Sequence, residues 1–370
     1  MRIAQLAPAT ESVPPLRYGG TERVVATLTD ELVRRGHEVT LFASGDSKTD
    51  AELVSVVPQA LRLAGVQNAV PYHLTALSQA FARADDFDVI HSHLDVLALP
   101  FSRFVPTPMI HTMHGRLDLA EIQPLLAECR EAALVSISDN QRRLLEHCRW
   151  LGTVYNGIDL NRYTFHPRPG NYLAFLGRIT PEKGIEEAIA VARLARLPLK
   201  VAAKVDPVDQ DYYETQIRPL FEDPLVEYVG EVTDDEKDAF LGQALALLFP
   251  IKWPEPFGLV MAEAMATGTP VITSRFGSVP EVVEDGVTGI LCDSVEEMAL
   301  ACARIESLDR AACRHHVEER FSVPAMVDGY EAIYQRLVVA SQSDVMSLRE
   351  GDSVQPTQPH PNGRTLTTAQ

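Results

Sequence analysis

Apolar and polar positions follow two rhythms along this chain. Short apolar runs closed by proline, glycine or a polar residue read as buried strands; longer stretches with apolar residues three and four apart read as helices. In the first half the strand pattern falls at 3–7, 38–43, 89–91, 109–114 and 133–137, with a helix at 22–35 stopped by Gly36. A polar stretch over 156–171, holding Pro167, Pro169 and Gly170, interrupts the rhythm and reads as a hinge. Strands resume at 172–177, 199–203, 226–229, 244–249 and 271–273. Strands alternating with helices in this way belong to parallel sheets covered on both faces, so the expected class is α/β with two doubly wound domains. The expected boundaries are 1–160 and 161–321, followed by a long helix at 322–340. From 341 to 370 the chain becomes rich in Ser, Gln, Pro and Thr, too poor in apolar area to fold, and reads as a disordered tail.

Composition narrows the picture. A chain of 370 residues with 46% hydrophobic content can build two sizeable cores. No apolar run reaches the ~18 residues needed to cross a bilayer. Met1-Arg2-Ile3-Ala4-Gln5-Leu6 is a strand stopped by Pro8 and not a signal peptide, and five cysteines without metal-ligand spacing read as reduced thiols; both point to the cytoplasm. The formal charge of −18 opposes nucleic-acid binding, since a phosphate backbone needs a basic surface.

Chemistry concentrates in two segments. In Glu255-Pro-Phe-Gly-Leu-Val-Met-Ala-Glu263, two carboxylates bracket a tight turn and the first turns of a helix that Gly268 stops. Pro256 fixes φ, and Gly258 lets the backbone approach a ligand. Helix-start amides of Phe257, Gly258 and Leu259 suit a diphosphate. One carboxylate then faces a transferred group and the other a ribose; the competing reading makes both solvated surface charges. The second segment is a strand ending at Gly177, then Arg178, Thr180 as an N-cap, Pro181, Lys183 and Gly184. Cations at the carboxyl end of a strand could neutralise a departing diphosphate, or form an ordinary salt-bridged turn.

Together these residues resemble the family-4 retaining glycosyltransferases, which have the GT-B fold of two Rossmann-like domains facing across a cleft. The match includes Gly177-Arg178 with Lys183-Gly184, the Glu255/Glu263 element, Tyr18-Gly19-Gly20, His91-Ser-His93, His114-Gly115, Asn156-Gly157 and Gly277-Ser-Val-Pro-Glu281. The resemblance implies a retaining hexosyltransferase using a nucleotide-diphosphate sugar, a UDP-sugar first and GDP-mannose next, and a small-molecule, glycan or lipid-linked hydroxyl acceptor. It implies that Glu255, His114, Arg178 and Lys183 serve catalysis. Donor binding would add Gly19, Gly20, Gly177, Phe257, Gly258, Leu259 and Glu263, with backbone from Val229 to Val232 at the base. No cofactor or metal is expected. The long terminal helix would cross back onto the first domain. Rival readings are a sugar-nucleotide epimerase of the same architecture and a binding subunit without turnover.

Other features carry bland readings beside functional ones. His111 reads as structural; His91 and His93 share one face and read as a capped strand end, while the resemblance would place His93 near the acceptor cleft. Asp86-Phe-Asp88 matches a metal-binding Asp-x-Asp but precedes a strand as a loop would. The stretch 141–150 reads as an amphipathic surface helix with Leu144 and Leu145 on the core, or as a basic face for peripheral membrane contact. Oligomeric state leaves no mark in the sequence.

Overall fold

The computed structural model describes residues 1–16, 19–143 and 145–351. Tyr18, Leu144 and the tail beyond 351 lie outside the described residues.

Two parallel sheets form the frame. The first has seven strands: β1 (Arg2–Leu6), β2 (Glu38–Ser44), β3 (Glu52–Val57), β4 (Val89–Ser92), β5 (Met109–Met113), β6 (Ala133–Ser136) and β7 (Trp150–Thr153), in the order β3-β2-β1-β4-β5-β6-β7. The second has six: β8 (Leu173–Arg178), β9 (Leu199–Lys204), β10 (Val226–Gly230), β11 (Ala246–Phe249), β12 (Val271–Ser274) and β13 (Gly289–Cys292), in the order β10-β9-β8-β11-β12-β13. The central strands are nearly continuous apolar runs because both faces are covered; Ile3, Ala4 and Leu6 in β1 and Leu247 and Leu248 in β11 are fully buried. Each sheet reverses its strand order once, between β1 and β4 and between β8 and β11. Open α/β sheets bind ligands outside the carboxyl ends of strands at such switch points.

The helix Val323–Gly351 ties the two halves together. It follows a crossover where the Ile158 amide donates to the Phe321 carbonyl at 2.7 Å. Met326, Val327, Tyr330, Ile333 and Tyr334 then pack on Ile3, Val24, Leu28 and Val89 of the first sheet and its first helix, Gly20–Arg34. This helix runs beyond the expected end at 340, through the first part of the stretch read as a tail. The stretch 141–150 also departs from expectation. Among the described residues there, only Asp139–Arg143 is helical, Leu145 is buried, and Trp150 opens β7, so they do not make the long amphipathic surface helix expected.

Candidate functional site

A cavity of about 420 Å³ lies between the carboxyl ends of the two sheets. The loop after β1 brings Gly19 and Gly20 to it, the end of β5 brings His114, and β8 with its turn brings Gly177, Arg178 and Lys183. After β11 come Trp253, Glu255, Phe257 and Gly258, and the helix Leu259–Ala266 contributes Leu259 and Glu263. Every predicted site residue except Val229 lines this cavity. Val229 sits on exposed β10, while Glu231 and Val232, just past the strand, form the wall.

The β8 turn is built differently from the sequence reading. Thr180 makes no side-chain cap; Pro181–Lys183 is a short 3-10 turn, and Gly184 leads into the helix Ile185–Ala195. Gly184 has φ +74°, and a Cβ there would lie 2.0 Å from the Pro250 carbonyl oxygen. That close approach lays the Lys183 turn against the strand that leads to Glu255. Lys183 Nζ reaches Glu255 Oε2 at 2.5 Å and lies 5.3 Å from the Trp253 ring centre. Arg116 of the opposite half stacks on the same indole at 5.1 Å. Arg178 Nη1 and Lys204 Nζ share Asp206, at 3.5 and 2.7 Å.

Glu263 is buried in an ion network. The helix around it is apolar on nearly every side, so its carboxylate requires charged partners. Lys237 Nζ donates to it at 2.9 Å, and Arg23 and Tyr163 stand close. Burial pushes the Glu263 carboxyl up, but Lys237 and Arg23 outweigh that, holding it below the ordinary carboxylate range. Arg23 belongs to the first helix and also pairs with Asp234, which takes Arg162 at 2.9 Å. Asp234 and Lys237 come from the helix Asp234–Gly242, which a Thr233–Glu236 capping box starts. Their service to Glu263 and to contact between the halves leaves no mark in the sequence. A second bridge is Glu281, whose carboxylate accepts the amides of Asp139 at 2.7 Å and Asn140 at 2.6 Å.

On the first sheet, Asp95 holds the loop that carries His114. Its Oδ1 accepts from the amides of His114 at 2.8 Å and Gly115 at 3.2 Å. Burial pulls the His114 ring down to about pKa 4, so it is neutral at physiological pH. Glu22, also in the cavity wall, is pushed up by burial to about 7. Asp86 and Asp88 lie just before β4, at the amino ends of the central strands and away from the cavity, paired with Arg83 and Arg2. Among the described residues no three His, Cys, Asp or Glu side chains converge as a metal site would require. All five cysteines are buried and free.

Two family models match this chain in succession, "Glycosyltransferase Family 4" over 18–162 and "Glycosyl transferases group 1" over 161–320, together most of its length. The chain belongs to this glycosyltransferase family. It is 28% identical to the glycogen synthase of Mycobacterium tuberculosis, over 81% of this chain and 84% of that one. It is also 28% identical to the phosphatidyl-myo-inositol mannosyltransferase of Mycobacterium leprae, over 92% and 95%. Among solved structures, Anabaena Alr3699/HepE in complex with UDP and glucose superposes with a TM-score of 0.70, at 19% identity over 91% of this chain and 100% of the other. The two parallel sheets of this glycosyltransferase are thus a GT-B frame, with the cavity between them. No helix among its described residues is long and apolar enough to cross a membrane.

Proposed function

We propose that this glycosyltransferase moves a hexose from a nucleotide-diphosphate sugar, a UDP-sugar first and GDP-mannose next, to a hydroxyl acceptor with retention of anomeric configuration. The observation that carries the reading is the arrangement of charge along one wall. Arg178 and Lys183 face the entry of the helix Leu259–Ala266, with Glu255 just before it and Glu263 within it. By helix geometry the first amides of that helix have no partner within it, so they and the two cations suit a diphosphate. Glu255 then meets the hexose and Glu263 the ribose. Lys183 pairs with Glu255, so a diphosphate bound at this wall competes for Lys183 and leaves the Glu255 carboxylate to the sugar. The family resemblance favours transfer on the front face, with the leaving diphosphate helping to deprotonate the acceptor. Catalysis is then orientation plus electrostatic stabilisation of the leaving group.

The uridine preference rests on a structural relative solved with UDP and glucose. For the acceptor, relatives named for glycogen and for a phosphatidyl-inositol lipid support a hydroxyl on a glycan or lipid-linked glycan. No metal is needed in this scheme, since Arg178 and Lys183 supply the positive charge. A thermal-shift screen of nucleotide sugars, followed by turnover of the best binder in excess EDTA, tests it. A ligand at a hundredfold excess over its Kd stabilises by about 2.7 kcal/mol, a readily measured shift. Stabilisation by no nucleotide sugar, or activity abolished by EDTA and restored by magnesium, overturns the scheme.

A further inference from the structure

Behind His114 lies a chain of hydrogen bonds that passes through the first sheet and ends on the C-terminal helix. His114 Nε2 meets His93 Nδ1 at 2.9 Å, and His93 Nε2 meets Gln5 Oε1 at 2.8 Å. Gln5 Nε2 donates to the Tyr334 hydroxyl at 3.2 Å, and that hydroxyl meets His91 Nδ1 at 2.7 Å. His91 Nε2 meets Thr112 Oγ1 at 2.7 Å, and Thr112 meets the Tyr330 hydroxyl at 3.0 Å. Gln5, His91, His93, Thr112, Tyr330 and Tyr334 are all buried, and the His91 and His93 rings lie 4.0 Å apart. Nothing in the donor site itself requires these groups. An apolar core would be cheaper than a buried polar chain that must satisfy every member.

The protons on this chain are determined by one amide. Gln5 offers oxygen to His93, so His93 must donate from Nε2. Desolvation holds the His93 pKa well below its ordinary value, with the neighbouring His91 and His114 adding to it, so the ring carries one proton and its Nδ1 is a lone pair. His114, which lines the cavity, must therefore donate from Nε2, which leaves Nδ1 as its acceptor nitrogen. In the other direction Gln5 donates to Tyr334, so the tyrosine proton goes to His91 Nδ1 and the His91 proton to Thr112. From His114 to Thr112 each link uses one proton and all point the same way; Thr112 and Tyr330 can each donate to the other.

We propose that the C-terminal helix, through Tyr334, Gln5 and His93, sets the tautomer and orientation of His114, making it an obligate acceptor of a hydroxyl proton from the bound substrate. His93, Gln5 and Tyr334 are positioning residues in this scheme, and His114 is the group that touches substrate. The inference rests on the reading of this cavity as a hexosyl-transfer site. It extends that reading by requiring that the group opposite His114 be a hydroxyl with a proton to give, so a fluorine or hydrogen at that sugar position should bind and react poorly.

The test has an arm that needs no turnover. Long-range nitrogen–proton NMR on protein labelled with ¹⁵N-histidine, without donor, reads the protonated nitrogen of each ring. His114 is expected protonated at Nε2 alone and His93 at Nε2 alone. Tyr334→Phe, which keeps the ring and removes the hydroxyl, should broaden or mix the His93 and His114 signals while leaving the fold intact by circular dichroism. The kinetic arm compares His93→Asn, whose amide oxygen can stand in for Nδ1 as acceptor, with His93→Phe, which keeps the ring and loses the acceptor. Positioning predicts that Asn retains most of kcat and that Phe loses roughly tenfold, with little change in donor KM. A purely packing role predicts the reverse order. The proposal is overturned by His114 protonated at Nδ1 in the native protein, by a Tyr334→Phe spectrum identical to it, or by Phe outperforming Asn. Should no nucleotide sugar be turned over at all, the functional reading falls and the spectra alone judge the relay.

Discussion

Gly277 lies against the backbone of Glu255: a Cβ on Gly277 would sit 2.3 Å from the Glu255 nitrogen and 2.5 Å from its carbonyl oxygen. The next residue fastens the contact, with the Ser278 amide donating to the Glu255 carbonyl at 2.9 Å and its hydroxyl to the Phe257 carbonyl at 3.0 Å. The Gly277–Glu281 motif is therefore the support that holds the Glu255 turn in place. Its last residue reaches on to cap Asp139 and Asn140 on the other half.

Gly277→Ala should damage both stability and catalysis. The residue has φ +63° in addition to the crowding, so alanine pays for strain and collision together. A loss of about 2 kcal/mol is expected, with kcat falling more than donor affinity because the Glu255 turn shifts. Denaturant melts and steady-state kinetics on the same preparation check it; an unchanged melting point would mean that the turn is not supported here.

Lys183→Ala and Arg178→Ala should each lower kcat about a hundredfold, corresponding to roughly 3 kcal/mol of lost stabilisation of the leaving diphosphate. Lys183→Ala also strips the partner from Glu255, so restoring an uncharged site with the double variant Lys183→Ala/Glu255→Gln should recover folding stability without recovering turnover. Wild-type rates for both single variants would remove the diphosphate from this wall.

Glu255→Gln and Glu263→Gln should fail differently. The first should cut kcat and leave nucleoside diphosphate affinity nearly intact. The second breaks a buried pair and leaves Lys237 and Arg23 around a neutral amide, a loss on the order of 3 kcal/mol in stability besides weaker nucleotide binding. The pH dependence has a definite sign. Because the folded Glu263 carboxyl titrates below its unfolded value, its contribution is present above the unfolded pKa and is lost as pH falls through the folded one. Melts from neutral pH into acid should therefore be flatter for Glu263→Gln than for the native protein.

Glu22 has the opposite sign. Burial raises its folded pKa from 4.5 to about 7, so between those values the folded state holds a proton that the unfolded state has released. Stability falls as pH rises through that window, by about 3 kcal/mol in all, and levels off above it. Glu22→Gln should abolish this slope and be the more stable protein at pH 8, while matching the native protein near pH 4.5. Paired urea titrations at the two pH values decide it.

The strands that sequence periodicity located are mostly the ones with neighbours on both sides. The three it missed, β3, β7 and β13, are all sheet edges. An edge strand is covered less completely, so polar residues interrupt its apolar run. Glu52 and Ser55 are exposed in β3, and all of β7 is half-buried around Gly152. β13 is apolar and mostly buried, but it is only four residues long and opens on Gly289, too short a run to stand out. The site was legible where chemistry sits in a contiguous turn, as at Arg178–Lys183 and Glu255–Glu263. It was illegible where function depends on register between distant elements. Nothing in the sequence around Lys237, Arg23 or Asp95 marks them as partners of Glu263 or of the His114 loop. His91 and His93 were seen as a pair, but nothing local in sequence tells that Gln5 and Tyr334 stand between and behind them.

The placement of the C-terminal helix has a consequence for how this chain is made. The first sheet is synthesised early, yet Tyr330 and Tyr334, both fully buried, and Met326, Val327 and Ile333 complete the hydrophobic cluster around Ile3, Val24 and Leu28. Until the ribosome has released residues from the far end of the chain, that face is open and Gln5 and His91 lack their tyrosine partner. The amino-terminal half therefore finishes folding only after the second sheet has been translated, and the last core residues to emerge close the first core to be started.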